Sequence, residues 1–140
     1  MAERPVSIAI VDDDRPFGLA LQRLLRAHGL AAATFASGRE FLDSLGSWSP
    51  DCLLLDLQMP SMGGVAVMRH VADTGRRLPT IIITAHDDPD ARTQCLAAGA
   101  SGFLYKPVDE ADLLGVIASV IGDVSAISRQ LPNGRTRGLN

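Results

Sequence analysis

Five times along this chain a short apolar run gives way to a segment whose apolar residues recur at helical spacing. That alternation constrains the fold more than any other feature. The runs are Val6 to Val11, Leu30 to Phe35, Cys52 to Leu57, Leu78 to Thr84 and Phe103 to Tyr105. The third and fourth are close to continuously apolar, as strands covered on both faces tend to be. The fourth also contains Ile81-Ile82-Ile83, β-branched residues that suit a pleated backbone. Between and after the runs, the helical stripes are Phe17, Leu21, Leu24, Leu25 and His28, stopped by Gly29; then Phe41, Leu42 and Leu45. The later ones are Val65, Met68, Val71 and Ala72; Ala91, Cys95 and Ala98; and Leu113, Val116, Ile117, Val120 and Ile121. Asp14, Ser37 (with Glu40 completing a capping box), Asp88 (with Pro89 behind it) and Asp109 stand where helix caps are needed. Five β-then-α units in succession predict an α/β fold, a parallel sheet with helices on both faces joined by right-handed crossovers.

At 140 residues the chain has the length of one domain. A net charge of −3 gives no whole-chain basic footprint for nucleic acid. Cys52 and Cys95 match neither a disulfide framework nor a zinc spacing, which suits a reducing compartment. The N-terminus lacks a signal-peptide core, and no apolar run approaches the roughly 20 residues of a membrane span. The expectation is a cytoplasmic protein with no membrane contact.

In a parallel sheet all the strand carboxyl ends lie along one edge, where ligands of open α/β sheets bind. The first run ends at Asp12-Asp13, the third at Asp56, the fourth at Thr84, and the fifth is followed by Lys106. Asp56 alone could simply end a strand at a turn. Gathered with the others it has company that is costly without a ligand, because clustered carboxylates repel and raise one another's pKa. Oxygen donors without His or Cys favour a hard cation such as Mg²⁺, which shares its shell with phosphate oxygens. Carboxylates can accept phosphoryl groups covalently, and phosphoryl transfer depends mainly on positioning and charge neutralisation. Lys106 supplies a compact positive charge and Thr84 a hydroxyl donor.

The segments IVDDD (10–14), LLLDLQMP (53–60), ITA (83–85) and YKP (105–107), in this order, resemble the receiver domain of two-component response regulators. The resemblance runs from about Val6 to Gly122, and the wording around Phe35 to Gly38, Pro60 to Gly64 and Thr84 to Asp88 is most similar to FixJ-like receivers. It implies a flavodoxin-like, doubly wound (βα)₅ fold with a five-stranded parallel sheet of order 2-1-3-4-5. It also implies a receiver domain over residues 1–122, followed by a flexible polar tail or linker over 123–140.

By the same resemblance, Asp56 takes a phosphoryl group from the phosphohistidine of a sensor histidine kinase or a histidine phosphotransfer protein. Asp13 and Asp56 hold Mg²⁺ directly, Asp12 reaches it through water, and the backbone carbonyl of Gln58 completes the protein's share. Thr84 and Lys106 engage the phosphoryl oxygens. Lys106-Pro107 is expected to be a cis peptide. Phe103 matches the aromatic that turns inward when Thr84 moves, with Tyr105 as a competitor for that role. Gln58 and His86 stand where the lifetime of the phosphorylated state is tuned. The implied outcome is altered binding of a downstream effector, or self-dimerisation.

Simpler readings remain for single residues. Asp14 reads as a helix cap rather than a ligand, His28 as a residue at a helix C-terminus, and His70 as an exposed helix residue. Gly63-Gly64 reads as a source of backbone freedom without chemistry. The segment from Ile127 to Asn140, with Arg129, Arg135 and Arg137, is turn-rich and has no room for a helix-turn-helix. The main alternative is therefore that these residues are the N-terminal receiver of a DNA-binding transcriptional regulator. An aspartyl phosphatase fits less well, since its Asp-x-Asp would follow the first strand, where this chain has an adjacent pair. The domain is thus expected to catalyse only its own phosphorylation and dephosphorylation.

Overall fold

The computed structural model describes residues 5–121, and the expected alternation holds throughout them. The elements are β1 (Ser7–Val11), α1 (Arg15–Ala27), β2 (Ala31–Phe35), α2 (Gly38–Ser44), β3 (Cys52–Asp56), α3 (Gly64–Asp73), β4 (Thr80–Thr84), α4 (Pro89–Ala97), β5 (Gly102–Tyr105) and α5 (Glu110–Ile121). All strand pairings are parallel, in the order β2-β1-β3-β4-β5. This is the flavodoxin-like doubly wound arrangement. The tail expected over 123–140, with its three arginines, lies outside the described residues.

Strand alternation divides the core into two layers. Ile8, Ile10, Cys52, Leu54, Ile81 and Ile83 face one side, where Leu21 and Leu25 of α1 and Leu113, Leu114 and Ile117 of α5 cover them. Ala9, Val11, Leu53, Leu55 and Ile82 face the other, under Phe41 of α2, Val67, Met68 and Val71 of α3 and Cys95 of α4. β1, β3 and β4 are buried along their whole length, which explains the apolar runs Ile8–Val11, Cys52–Leu55 and Ile81–Ile83 within them.

The helix starts form as the caps require. The Asp14 carboxylate accepts from the Phe17 amide, Ser37 Oγ from the Glu40 amide, Asp88 from the Asp90 and Ala91 amides, and Asp109 from the Asp112 amide. Glu40 reaches back to the Ala36 amide, one residue further than a standard capping box. Two stripes differ from expectation. In α3 Val67 is fully buried and Ala72 is exposed, because the helix starts at Gly64 and its inward face is set by that entry. In α5 Leu114 and Ala118 join Leu113 and Ile117 in the core, while Val116, Val120 and Ile121 are half-buried. Cys52 is a core residue whose burial pushes its thiol up to about 12. Among the described residues no helix is long and apolar enough to cross a membrane.

Candidate functional site

β1 and β3 are neighbours at the point where the strand order reverses, so their carboxyl ends open onto one crevice. Asp12 follows β1, and Asp56 is the last residue of β3. Carboxylate oxygens of Asp12, Asp13 and Asp56 all lie within 4.8 Å of one another. Asp12 and Asp56 are 5% and 6% exposed, whereas Asp13 faces solvent. Asp14, the third of the acidic run, turns away to cap α1.

Burial pushes the Asp56 carboxyl up to about 6, and the nearby charge of Asp12 adds to the effect. The Lys106 ammonium and the Gln58 amide oppose the rise, while Asp13 contributes a further small increase. That amide donates to Asp56 Oδ1 over 3.4 Å, a long hydrogen bond. Asp12 is better partnered. Its Oδ1 accepts from the Asp14 amide at 2.8 Å, and its Oδ2 lies 3.0 Å from Lys106 Nζ.

Lys106 reaches this position through the β5–α5 connection. Its amide donates to the Thr84 carbonyl, and the Lys106-Pro107 peptide is cis, as expected. Leu104 belongs to the α1–α5 layer and Phe103 to the opposite one, and Lys106 continues the alternation toward α1. There its ammonium sits 4.3 Å from the centre of the Phe17 ring. In the sequence Phe17 reads only as part of the α1 stripe. Its place in the first turn of the helix that follows the acidic run sets it near the strand ends but does not reveal the contact.

Thr84 ends β4 beneath the surface at 2% exposure, and its Oγ1 accepts from the His86 amide. The His86 and Gln58 side chains are exposed. In register Phe103 lies beside Ile82 and Tyr105 beside Thr84, so both aromatics occupy the face that α4 covers. Phe103 is half-buried under the Arg92 guanidinium, and Tyr105 is exposed. Gly64 has a role beyond the backbone freedom expected of it. A Cβ there would stand 3.1 Å from both the Asp56 carbonyl oxygen and the Leu57 Cα, so its absence lets α3 close against the end of β3.

Residues 8–118 match the family model of the response regulator receiver domain. The chain belongs to that family. This receiver is 39% identical over 121 residues to the response regulator protein TmoT of Ectopseudomonas mendocina, covering 86% of this chain and 55% of that protein. It is 40% identical over 112 residues to the DNA-binding transcriptional regulator NtrC of Klebsiella pneumoniae, covering 80% of this chain and 24% of that one. The chain therefore spans about half, or less, of the curated relatives it matches. Among solved structures, a response regulator receiver protein from Burkholderia phymatum superposes with a TM-score of 0.76 at 45% identity, covering 85% of this chain and 96% of that one. FixJ-N superposes with a TM-score of 0.79 at 29% identity, covering 86% and 96%. The receiver domain of the Pseudomonas aeruginosa sensor histidine kinase PA1611 does so with a TM-score of 0.76 at 28% identity, covering 85% and 99%, and carries magnesium in its active-site cleft. Receiver domains are signalling domains that work with histidine kinases and output domains.

Proposed function

We propose that Asp56 is the phosphoacceptor of this receiver and that Asp12, Asp13, Asp56 and the Gln58 carbonyl hold Mg²⁺ beside it. The observation that carries the reading is the convergence of three carboxylates, the buried Asp12 and Asp56 and the exposed Asp13, at the sheet's switch point. An oxygen-only donor set of this charge fits a hard divalent cation. Bound Mg²⁺ supplies charge neutralisation for the carboxylates and for the incoming phosphoryl oxygens.

Asp56 attacks as its carboxylate. The Oδ–P bond forms while the P–N bond of the donor phosphohistidine breaks, and the imidazole leaves with the electron pair and is protonated. Lys106 then pairs with the phosphoryl oxygens, and the Thr84 hydroxyl donates to one of them. Movement of Thr84 makes room for Phe103, which changes the α4–β5–α5 surface offered to an effector or to a second copy of the domain. Gln58 and His86, exposed at the rim, tune hydrolysis of the acyl phosphate. Autophosphorylation and dephosphorylation are the whole of the domain's own chemistry. The domain occupies residues 1–122, works in the cytoplasm with a histidine kinase or phosphotransfer partner, and does not itself contact DNA.

A second reading places this receiver at the N-terminus of a longer regulator whose output domain binds DNA. The fraction of TmoT and NtrC that the chain spans favours it. The reading frame beyond Asn140 in the native gene distinguishes the two. For the phosphoacceptor itself, incubation with acetyl phosphate and Mg²⁺ should add one phosphoryl mass to the wild type and none to Asp56→Asn. Undiminished labelling of that variant would overturn the assignment.

A further inference from the structure

Arg92 is the fourth residue of α4, and its exposed side chain links three separate pieces of the structure. Its guanidinium carbon stands 5.2 Å from the centre of the Phe103 ring. Its Nη1 donates to Tyr105 Oη over 3.4 Å, and that hydroxyl donates to Asp87 Oδ1 over 3.3 Å. Phe103 and Tyr105 are two apart on β5 and share the face beneath α4, which is why one side chain reaches both. Asp87 lies three residues after Thr84, in the segment that joins β4 to α4. The chain from Arg92 through Tyr105 to Asp87 therefore ties helix, strand and connecting segment together.

We propose that Arg92 is a positioning residue that holds Phe103 and Tyr105 in the unmodified arrangement and so sets how readily modification of Asp56 reorganises the α4–β5 face. The inference rests on the phosphoacceptor reading and extends it to a residue that does not touch the phosphoryl group. Displacement of Thr84 toward Asp56 carries the following segment with it and draws Asp87 from the Tyr105 hydroxyl. Rotation of Phe103 takes the ring from beneath the guanidinium. Both contacts of Arg92 thus exist in one arrangement and are lost in the other, and only such a difference can shift a two-state equilibrium. The two hydrogen bonds are long and exposed, and an exposed cation over a half-buried ring is a modest interaction. Arg92 accordingly biases the switch without locking it. Arginine suits this position because its planar fork can cover a ring and donate sideways at once, which an ammonium cannot do.

The test titrates the full 140-residue chain with beryllofluoride, a mimic of the aspartyl phosphate, in saturating Mg²⁺. The midpoint is read from the backbone amide resonances of Phe103 and Tyr105. Arg92→Ala should lower the midpoint by about two- to five-fold, and Arg92→Lys by less. Tyr105→Phe, which deletes the shared hydroxyl, should move it in the same direction. In a Phe103→Leu background, replacing Arg92 should change the midpoint by much less than in the wild type. An unchanged or higher midpoint for Arg92→Ala overturns the proposal, as does an effect of full size in the Phe103→Leu background. If the wild type itself fails to respond, the phosphoacceptor reading falls and takes this inference with it. A wild type that responds beside an unmoved Arg92→Ala overturns the inference alone.

Discussion

Lys106 Nζ lies 3.0 Å from Asp12 Oδ2, with the Phe17 ring 4.3 Å from the same ammonium. The lysine of the site is thus paired, in the unmodified domain, with a carboxylate proposed to face the metal. The Asp12 side chain is only 3% exposed and that of Lys106 20%. A charge pair in such a place is screened far less than one on the surface. Two consequences follow from the geometry. The ammonium is held close to the proposed site before any phosphoryl group arrives, and it would compete with a divalent cation bound there for the charge of Asp12.

Replacing Lys106 by alanine should therefore strengthen Mg²⁺ binding while it disables the response to phosphorylation. Removing one positive charge within a few ångströms of the cation corresponds to roughly a ten-fold lower Kd. Isothermal titration with MgCl₂ measures the first effect, and the β5 amide resonances of the beryllofluoride-treated variant the second. A weaker Mg²⁺ affinity in Lys106→Ala would show that the ammonium organises Asp12 for the metal and does not compete with it.

The raised Asp56 pKa makes stability depend on pH in a definite direction. An unfolded aspartate ionises near 3.8, whereas Asp56 in the fold holds its proton to about 6. Between those values the native state binds the extra proton, so its stability falls as pH rises through that window. Above it the buried carboxylate costs on the order of 3 kcal/mol. Asp56→Asn removes that cost. In EDTA, urea unfolding should show the variant more stable than the wild type at pH 7, with the gap narrowing toward pH 4. Mg²⁺ at the proposed site would work the other way, since it would bind the ionised form, so its affinity for the wild type should climb as pH passes 6. A gap that is constant from pH 4 to pH 7 would mean that Asp56 titrates as an ordinary aspartate.

Much of this was legible in the sequence, for physical reasons that can be named. β3 and β4 are covered on both faces, and Leu53–Leu55 and Ile81–Ile83 are accordingly apolar without interruption. Asp14, Ser37, Asp88 and Asp109 satisfy helix amides that have no other partner, so their residue types mark the starts. Because parallel strands share one edge, placing Asp12, Asp13 and Asp56 together needed only the order of the elements. Contacts between side chains on different elements were a different matter. Nothing in the run Asp12 to Phe17 reveals that the ring will lie against Lys106, since that depends on the path of the β5–α5 connection. Likewise His28 caps α1 as expected, but its 2.9 Å pairing with Glu110 at the start of α5 required the packed fold. The inward face of α3 is also not legible at Ala72, since Gly64, Val67, Met68 and Val71 form the buried side and Ala72 is exposed.

Ser61 offers a test of local strain beside the site. It has φ of 70°, in the left-handed region, and it is the only non-glycine residue with positive φ among the described residues. An L-residue there carries a steric cost of roughly 1–2 kcal/mol that glycine avoids, while glycine loses about 0.5–1 kcal/mol through its freer unfolded chain. The first effect is the larger. Ser61→Gly should raise stability by about 0.5–1 kcal/mol, seen as a higher urea midpoint at unchanged slope. A lower midpoint would mean that the serine side chain supplies more than its backbone costs.

Gly38 presents the opposite case, a glycine required by packing and not by its backbone angles. It begins α2, and a Cβ at that position would fall 2.5 Å from Val67 Cγ2 and 3.1 Å from Met62 Sδ. Val67 is fully buried and β-branched, so it has little rotameric freedom with which to move aside. Met62 is more adaptable, but it lies in the loop that leads from β3 to α3, and displacing it disturbs the segment after Asp56. Alanine would ordinarily favour a helix over glycine by about 1 kcal/mol. Here the clash should outweigh that gain, since overpacking a close-packed site typically costs 1–3 kcal/mol. Gly38→Ala is therefore expected to lower stability despite its better helix propensity, and Val67→Ala in the same chain should restore part of the loss by making room. Thermal or urea unfolding of the two single variants and the double variant decides it. Additive losses in the double variant would show that the α2–α3 contact is not what excludes a side chain at residue 38.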